Sequence, residues 1–131
     1  MLDTNTVSYA LRGQPPAVRT HLQRVPMVQV CISTITEAEL RFGVALKPSA
    51  LRLVELVDRF LAGVTCVPWD SAAAKAYASL GAASWHKGKR LAAADLLVAA
   101  HAQSLGLTLV TSDTSFWQLR SSLALEDWSK M

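Results

Sequence analysis

The sequence predicts an α/β fold: a short central parallel sheet of about 4–5 strands, with helices on both faces. Three observations carry that expectation. Short apolar runs alternate with longer segments of helical period along the chain. Of the 131 residues, 51% are hydrophobic and 18% charged, with only 6 Gly and 5 Pro, which is the composition of a chain that buries a core. No repeat, low-complexity segment or linker divides it, so residues 1–131 read as one domain.

The elements follow in order. Met1-Leu2 reads as the end of a very short strand, and Thr6 to Arg12 as a helix closed by Gly13. Pro16 suits the first turn of a second helix through about Arg24. Val28 to Ile32 has the β-branched content of a strand. Thr34 to Leu46 is helical and breaks near Pro48, and Ala50 to Leu61 repeats that period before Gly63. Val64 to Val67 is a strand and Ser71 to Trp85 an Ala-rich helix. His86 to Arg90 is a polar loop, followed by a helix from Ala92 to Leu105 that Gly106 closes. Leu107 to Val110 is a strand with a turn at Thr111-Ser112-Asp113, and Leu123 to Leu125 adds a last edge strand.

Composition narrows the function. The net charge of +3 suits an anionic partner without requiring one. The 2 cysteines, Cys31 and Cys66, lie in separate apolar runs with no second ligand at zinc spacing, so they read as buried free thiols in strands. The first residues lack the basic-then-apolar order of a secretory leader, and no apolar run nears the ~18 residues of a membrane span, so a cytoplasmic, non-membrane protein is expected.

Four of the 10 acidic residues stand out. Asp3 follows the first strand and Asp113 the strand that ends at Val110; either is also a good helix N-cap. On a helical wheel Glu39 lies about 40° from Ile35, beside an apolar stripe of Ile35, Ala38, Phe42 and Leu46. It is therefore expected to point toward the protein, as a functional group or as half of a core ion pair. Glu37 falls on the opposite side, with Arg41 one turn on and a capping-box relation to Thr34. Asp95 opens a helix and shares a face with Val98, Ala99 and Ala102; the helix dipole favours an acid there but does not explain the inward face. In a parallel sheet, strand ends and helix starts share one edge, so these four acids are expected to converge. Converging carboxylates raise one another's pKa values unless a cation is present, and an oxygen-only set suits Mg²⁺ or Mn²⁺. Such a site hydrolyses phosphodiesters.

The same residues carry a family resemblance. Met1-Leu2-Asp3-Thr4-Asn5, Ile32-Ser33-Thr34-Ile35-Thr36 leading to Glu39-Leu40 and Gly43, Asp95-Leu96-Leu97-Val98-Ala99-Ala100-His101-Ala102, and Val110-Thr111-Ser112-Asp113 with Phe116 occur in an order that resembles PIN-domain nucleases. The chain is similar in particular to VapC-type toxins of toxin–antitoxin pairs, and its end, Leu125-Glu126-Asp127-Trp128, looks like theirs. The resemblance implies a PIN-like three-layer fold and a catalytic set of Asp3, Glu39, Asp95 and Asp113, with Asp3, Asp95 and Asp113 as metal ligands. It implies that Glu39 either holds metal or acts on the attacking water, and that Asn5, Ser33 and Thr111 are polar supports. It also implies a Mg²⁺- or Mn²⁺-dependent endoribonuclease that leaves a 3′-hydroxyl and a 5′-phosphate. Its candidate substrate is tRNA, initiator tRNA included; its partners are a VapB-like antitoxin and a second copy of the chain. One position departs: many relatives carry an Asp or His just before the Phe of the last motif, where this chain has Ser115, which puts a second metal in doubt.

Other features admit two readings. Lys87, Lys89 and Arg90 beside Trp85 read as phosphate contacts with a base-stacking ring, or as a solvated loop beside a core Trp. His101 reads as a partly buried structural residue, and Trp69, Trp117 and Trp128 as core or interface. The helices at Val18–Leu22 and Leu51–Leu61 carry much apolar surface, for core packing or, as the resemblance implies, for the dimer and antitoxin contacts. Two competing functions are a phosphatase-like hydrolase and a non-catalytic RNA- or protein-binding module. The first needs a second Asp where Asn5 stands; the second does not need four intact acids.

Overall fold

A computed structural model describes residues 1–88 and 91–130. It contains helices α1 (Thr4–Arg12), α2 (Pro16–Arg24), α3 (Thr34–Leu46), α4 (Leu51–Gly63), α5 (Ser71–His86) and α6 (Ala93–Ser104). The strands are β1 (Cys31–Ser33), β2 (Thr65–Val67), β3 (Leu109–Val110) and β4 (Leu125–Glu126), with 3₁₀ turns at Met27–Gln29 and Thr114–Leu119.

The sheet is built around the first residues. β1 pairs with β2 and β3 with β4, both in parallel. Leu2 joins the two pairs: it bridges Val110 in parallel, and its N–H donates to the Cys31 carbonyl at 3.0 Å. The order is β2-β1-Leu2-β3-β4. The expected parallel arrangement is present, including the last edge strand, which pairs at Leu125–Glu126 rather than at Leu123–Leu125.

Side chains alternate across this sheet. Leu2, Ile32, Cys66 and Val110 face one core, shared with Val7 and Val18 of the first two helices, Leu40 of α3 and Val57 of α4. Met1, Cys31, Leu109 and Leu125 face the other, shared with Leu80 of α5, Val98 to Ala100 of α6, and Phe116. The result is three layers. Because Cys31 and Cys66 face opposite cores, they cannot form a disulfide. Both are free thiols in strands, though half-buried rather than buried.

Two expectations fail for physical reasons. The run from Val28 is not all strand: Pro26 starts a 3₁₀ turn that leaves Val28 89% exposed, and the strand begins only at Cys31. Of the apolar stripe of α3 only Ile35 packs on the core; Phe42 is 63% and Leu46 65% exposed, while Thr36 and Leu40 are buried. The sheet-facing side of α3 is thus set by contacts with β1 and α6, which outweigh its own hydrophobic pattern.

Ile32 is fully buried at the centre of β1. Ile32→Ala should lower the unfolding free energy by about 2–5 kcal/mol, measured by urea denaturation with an unchanged m-value.

Candidate active site

Each acid owes its place to local chain chemistry. Asp3 ends the central strand, where its N–H donates to the Val110 carbonyl at 3.1 Å. It caps α1: Oδ1 accepts from the Thr6 N–H at 2.8 Å, and Thr6 Oγ1 donates to the same Val110 carbonyl. Asp3 is buried. Asp113 caps the 3₁₀ turn after β3. Its own N–H donates to Thr111 Oγ1, and its Oδ1 accepts from both the N–H and the hydroxyl of Ser115, at 2.9 and 2.8 Å. The capping readings of Asp3 and Asp113 are therefore true, and each cap occupies one carboxylate oxygen.

Asp95 sits in the first turn of α6, half-buried. Among the described residues it accepts no hydrogen bond. Burial raises its pKa, and the charges of Asp113, Asp3 and Glu39 raise it further. All four acids therefore lie within electrostatic reach at the carboxyl edge of the sheet. They do not close on one point: among the described residues, no three His, Cys, Asp or Glu side chains are grouped closely enough to hold a metal by themselves. None of the ion pairs among the described residues, Arg41–Glu37, Arg59–Glu55 and Lys130–Asp127, neutralises this group.

Glu39 does not point into the protein as the wheel implied; it is exposed. Its Oε1 accepts a 2.6 Å hydrogen bond from Thr4 Oγ1, which also reaches Thr36 Oγ1 at 3.3 Å. Glu37, expected on the wet side, is the more sheltered: its side chain is 27% exposed and accepts from Arg41 Nε at 2.7 Å and from Cys66 Sγ at 3.0 Å. The Cys66 and Arg41 bonds hold its pKa down, while burial and Glu37 push the Cys66 thiol up to about 11. A cavity of about 370 Å³ beside Glu39 is lined by Thr4, Asn5 and Arg12 and by the apolar Leu11, Val44 and Leu53.

The supporting residues divide. Asn5 is exposed at that cavity, and Thr111 is buried under Asp113. Among the described residues, Ser33 makes no hydrogen bond to any of the four acids. It caps α3 through the Ile35 N–H and meets His101 Nδ1 at 2.8 Å. His101 is more buried than its sequence suggested, at 1% exposed. Burial lowers its pKa, partly offset by Asp70 and the Pro68 carbonyl, although Nε2 makes no well-formed hydrogen bond. Lys87 is exposed just past α5, while Lys89 and Arg90 lie outside the described residues. One position escaped the sequence reading, and another has a role it did not foresee. Thr4 tethers Glu39, and the signal was a hydroxyl directly after the strand-end acid. Ser115, noted for its departure from the family pattern, hydrogen-bonds Asp113; the Asp-x-Ser turn pattern was its signal.

The family model for the PIN domain matches residues 1–120. The chain is 30% identical to the tRNA(fMet)-specific endonuclease VapC of Shigella flexneri, over 98% of this chain and 97% of that one. It is 36% identical to toxin FitB of Neisseria gonorrhoeae, again over 98% and 97%. Among solved structures it resembles VapBC2 from Rickettsia felis bound to a promoter DNA fragment, with a TM-score of 0.88 and 29% identity over 98% of this chain and 97% of that one.

A carboxyl whose pKa is raised in the fold holds its proton more tightly there than in the unfolded chain. The penalty on stability is thus present above the raised pKa and relieved as pH falls through it. In chelator at neutral pH, Asp95→Asn should raise the melting midpoint by a few degrees, and the gain should shrink on acidification; a lowered midpoint in a calorimetric scan contradicts the repulsion argument.

Proposed function

The chain belongs to the PIN-domain family, and we propose that it is a Mg²⁺- or Mn²⁺-dependent endoribonuclease acting as the toxin of a toxin–antitoxin pair. The observation that carries the reading is the gathering of Asp95 with Asp113, Asp3 and Glu39: burial, and then the charges of those three acids, raise its proton affinity, and no ion pair among the described residues offsets them. The donor set fits the implied ion: each of Asp3, Asp95 and Asp113 keeps an oxygen not used in capping, and hard divalent cations prefer oxygen. Asp3, Asp95 and Asp113 would hold it, with open positions left for water. Bound there, the ion would supply Lewis-acid stabilisation of the phosphodiester under attack.

The chain's own groups do the rest. Glu39, held through Oε1 by Thr4, presents Oε2 to take a proton from the attacking water. The water oxygen bonds to phosphorus, the P–O3′ bond breaks, and the 3′ oxygen leaves as a hydroxyl once protonated. The products are a 5′-phosphate and a 3′-hydroxyl. Thr111 and Ser115 fix Asp113, and Asn5 lines the approach beside Glu39.

The similarity to a tRNA(fMet)-specific endonuclease supports tRNA as substrate, with initiator tRNA the first candidate. The similarity to VapBC2 supports a VapB-like antitoxin as partner. The exposed Phe42, Leu46 and Leu51 on the third and fourth helices give apolar area to such a partner or to a homodimer contact. No helix among the described residues is long and apolar enough to cross a membrane. A cytoplasmic location suits this reading.

The purified, antitoxin-free chain should cut bulk tRNA into discrete fragments with Mg²⁺ or Mn²⁺ and not in chelator; intact tRNA under both conditions counts against the nuclease. Asp95→Asn should abolish cutting while the circular dichroism stays native. Thr4→Val frees Glu39 without removing it and should lower kcat by up to about a hundred-fold, with KM nearly unchanged in initial-rate assays.

A further inference from the structure

A cationic pocket lies where the end of α5 meets the 3₁₀ turn that Asp113 begins. It has a volume of about 250 Å³ and is lined by Lys87, Gln118, Arg120 and Ser121. Each of these side chains can donate a hydrogen bond, and none is acidic. Two distant segments build it, and both lead to the acids. Lys87 caps the carboxyl end of α5, which packs along α6, the helix that carries Asp95. Arg120 closes the turn Thr114–Leu119, whose first cap is Asp113. Hydrogen bonds tie the pocket to that acid. Asp113 Oδ1 accepts from the Ser115 hydroxyl at 2.8 Å, and the Ser115 carbonyl accepts from Gln118 Nε2 at 2.9 Å. Arg120 Nη1 donates to the Trp117 carbonyl at 3.0 Å, which holds the guanidinium at the end of the turn. Arg41, Arg59 and Lys130 are each paired with an acid, but among the described residues no ion pair takes Lys87 or Arg120.

We infer that this pocket is a phosphate subsite, which holds one backbone phosphate of the RNA to the side of the scissile one. The inference rests on the ribonuclease reading and adds the contact that anchors the strand. Four carboxylates repel a polyanion, and one divalent ion does not cancel all of them. The strand therefore needs a cationic grip outside the acids. The lining supplies it: a planar guanidinium, a mobile ammonium and two neutral donors suit the oxygens of one phosphate. The spacing excludes the scissile phosphate itself. From Asp113 to Arg120 the chain advances about 14 Å, at roughly 2 Å of rise per residue in a 3₁₀ turn. The pocket thus serves a phosphate further along the same strand. A phosphate carries no base identity, so the subsite fixes the register of the strand and not the choice of base.

The test is filter retention of bulk tRNA by the full chain carrying Asp95→Asn, in Mg²⁺ and over a range of salt concentrations. Lys87→Ala and Arg120→Ala together should weaken binding roughly five-fold at about 0.15 M salt. They should also lessen the slope of log affinity against log salt by about 0.7–0.9, as the loss of one phosphate contact requires. Ser121→Asp sets a carboxylate in the pocket and should weaken binding at least as much. All three positions are exposed, so the circular dichroism should stay native. Arg52→Ala and Lys75→Ala together remove the same net charge at exposed positions outside the pocket, and should change the slope less than half as much. In the cutting-competent chain, the pocket pair should raise KM with kcat nearly unchanged. An unchanged slope in the pocket pair, with the parent binding well, overturns the subsite alone. An equal loss in the control pair also overturns it, by assigning the effect to net charge. A parent that binds no tRNA, with a wild-type chain that cuts none, overturns the ribonuclease reading and the subsite with it.

Discussion

The structure depends on the insertion of residues 1–3 between two half-sheets. β1–β2 and β3–β4 are each two-stranded parallel pairs, and such pairs are weak alone. The Leu2 N–H bond to Cys31, the Val110 N–H bond to Met1 and the Asp3 N–H bond to Val110 weld them into one sheet. The Leu2 and Ile32 side chains then close one core, while Met1 and Leu109 close the other. The same insertion delivers Asp3 to the carboxyl edge. Fold and site are therefore not separable at this position: loss of the weld would also unseat the first acid.

The acids themselves illustrate how one side chain serves two ends. A cap needs one carboxylate oxygen near an amide, and the capping bonds of Asp3 and Asp113 use Oδ1 only. Each cap locks the side-chain torsions and thereby aims the second oxygen. Asp95 has no such bond and bears the repulsion, half-buried and beside three like charges. The fold tolerates that arrangement because Asp95 and Asp113 are only half-buried and Glu39 is exposed, so water screens what the protein does not.

Much of this was legible in the sequence because its causes are local. Gly13 ends α1 in a left-handed conformation, Pro16 starts α2, and Asp3 and Asp113 cap a helix and a turn; the cap of α3 falls on Ser33, one residue before the expected Thr34. The tertiary part was not. Strands of two or three residues are too short to carry a period, so the edge strand's place at Leu125–Glu126 depended on Leu109 as its neighbour. The wheel of α3 failed because it assumes that the apolar stripe faces the core. Here Thr36, packed at 0% exposure, takes the inward side and Phe42 the outward one. Glu39 therefore emerged at the rim, and Glu37 was drawn to Cys66, a contact across 29 residues that no local pattern encodes.

That rim position is what a proton acceptor needs. An acid that holds a cation gains from shelter, because low permittivity strengthens its pull on the ion. An acid that takes a proton from water must meet water, and then let the proton go. Asp3 is buried, Asp95 and Asp113 are half-buried, and Glu39 is exposed. The order of burial thus matches the division of labour proposed for them. Exposure alone would leave Glu39 free to wander over its side-chain rotamers, each a poor aim at one water. Thr4 answers that with a single 2.6 Å hydrogen bond from the first residue of α1, next to Asp3. Because Thr4 and Asp3 are chain neighbours, the segment that welds the sheet also sets the distance between the sheltered acid and the exposed one.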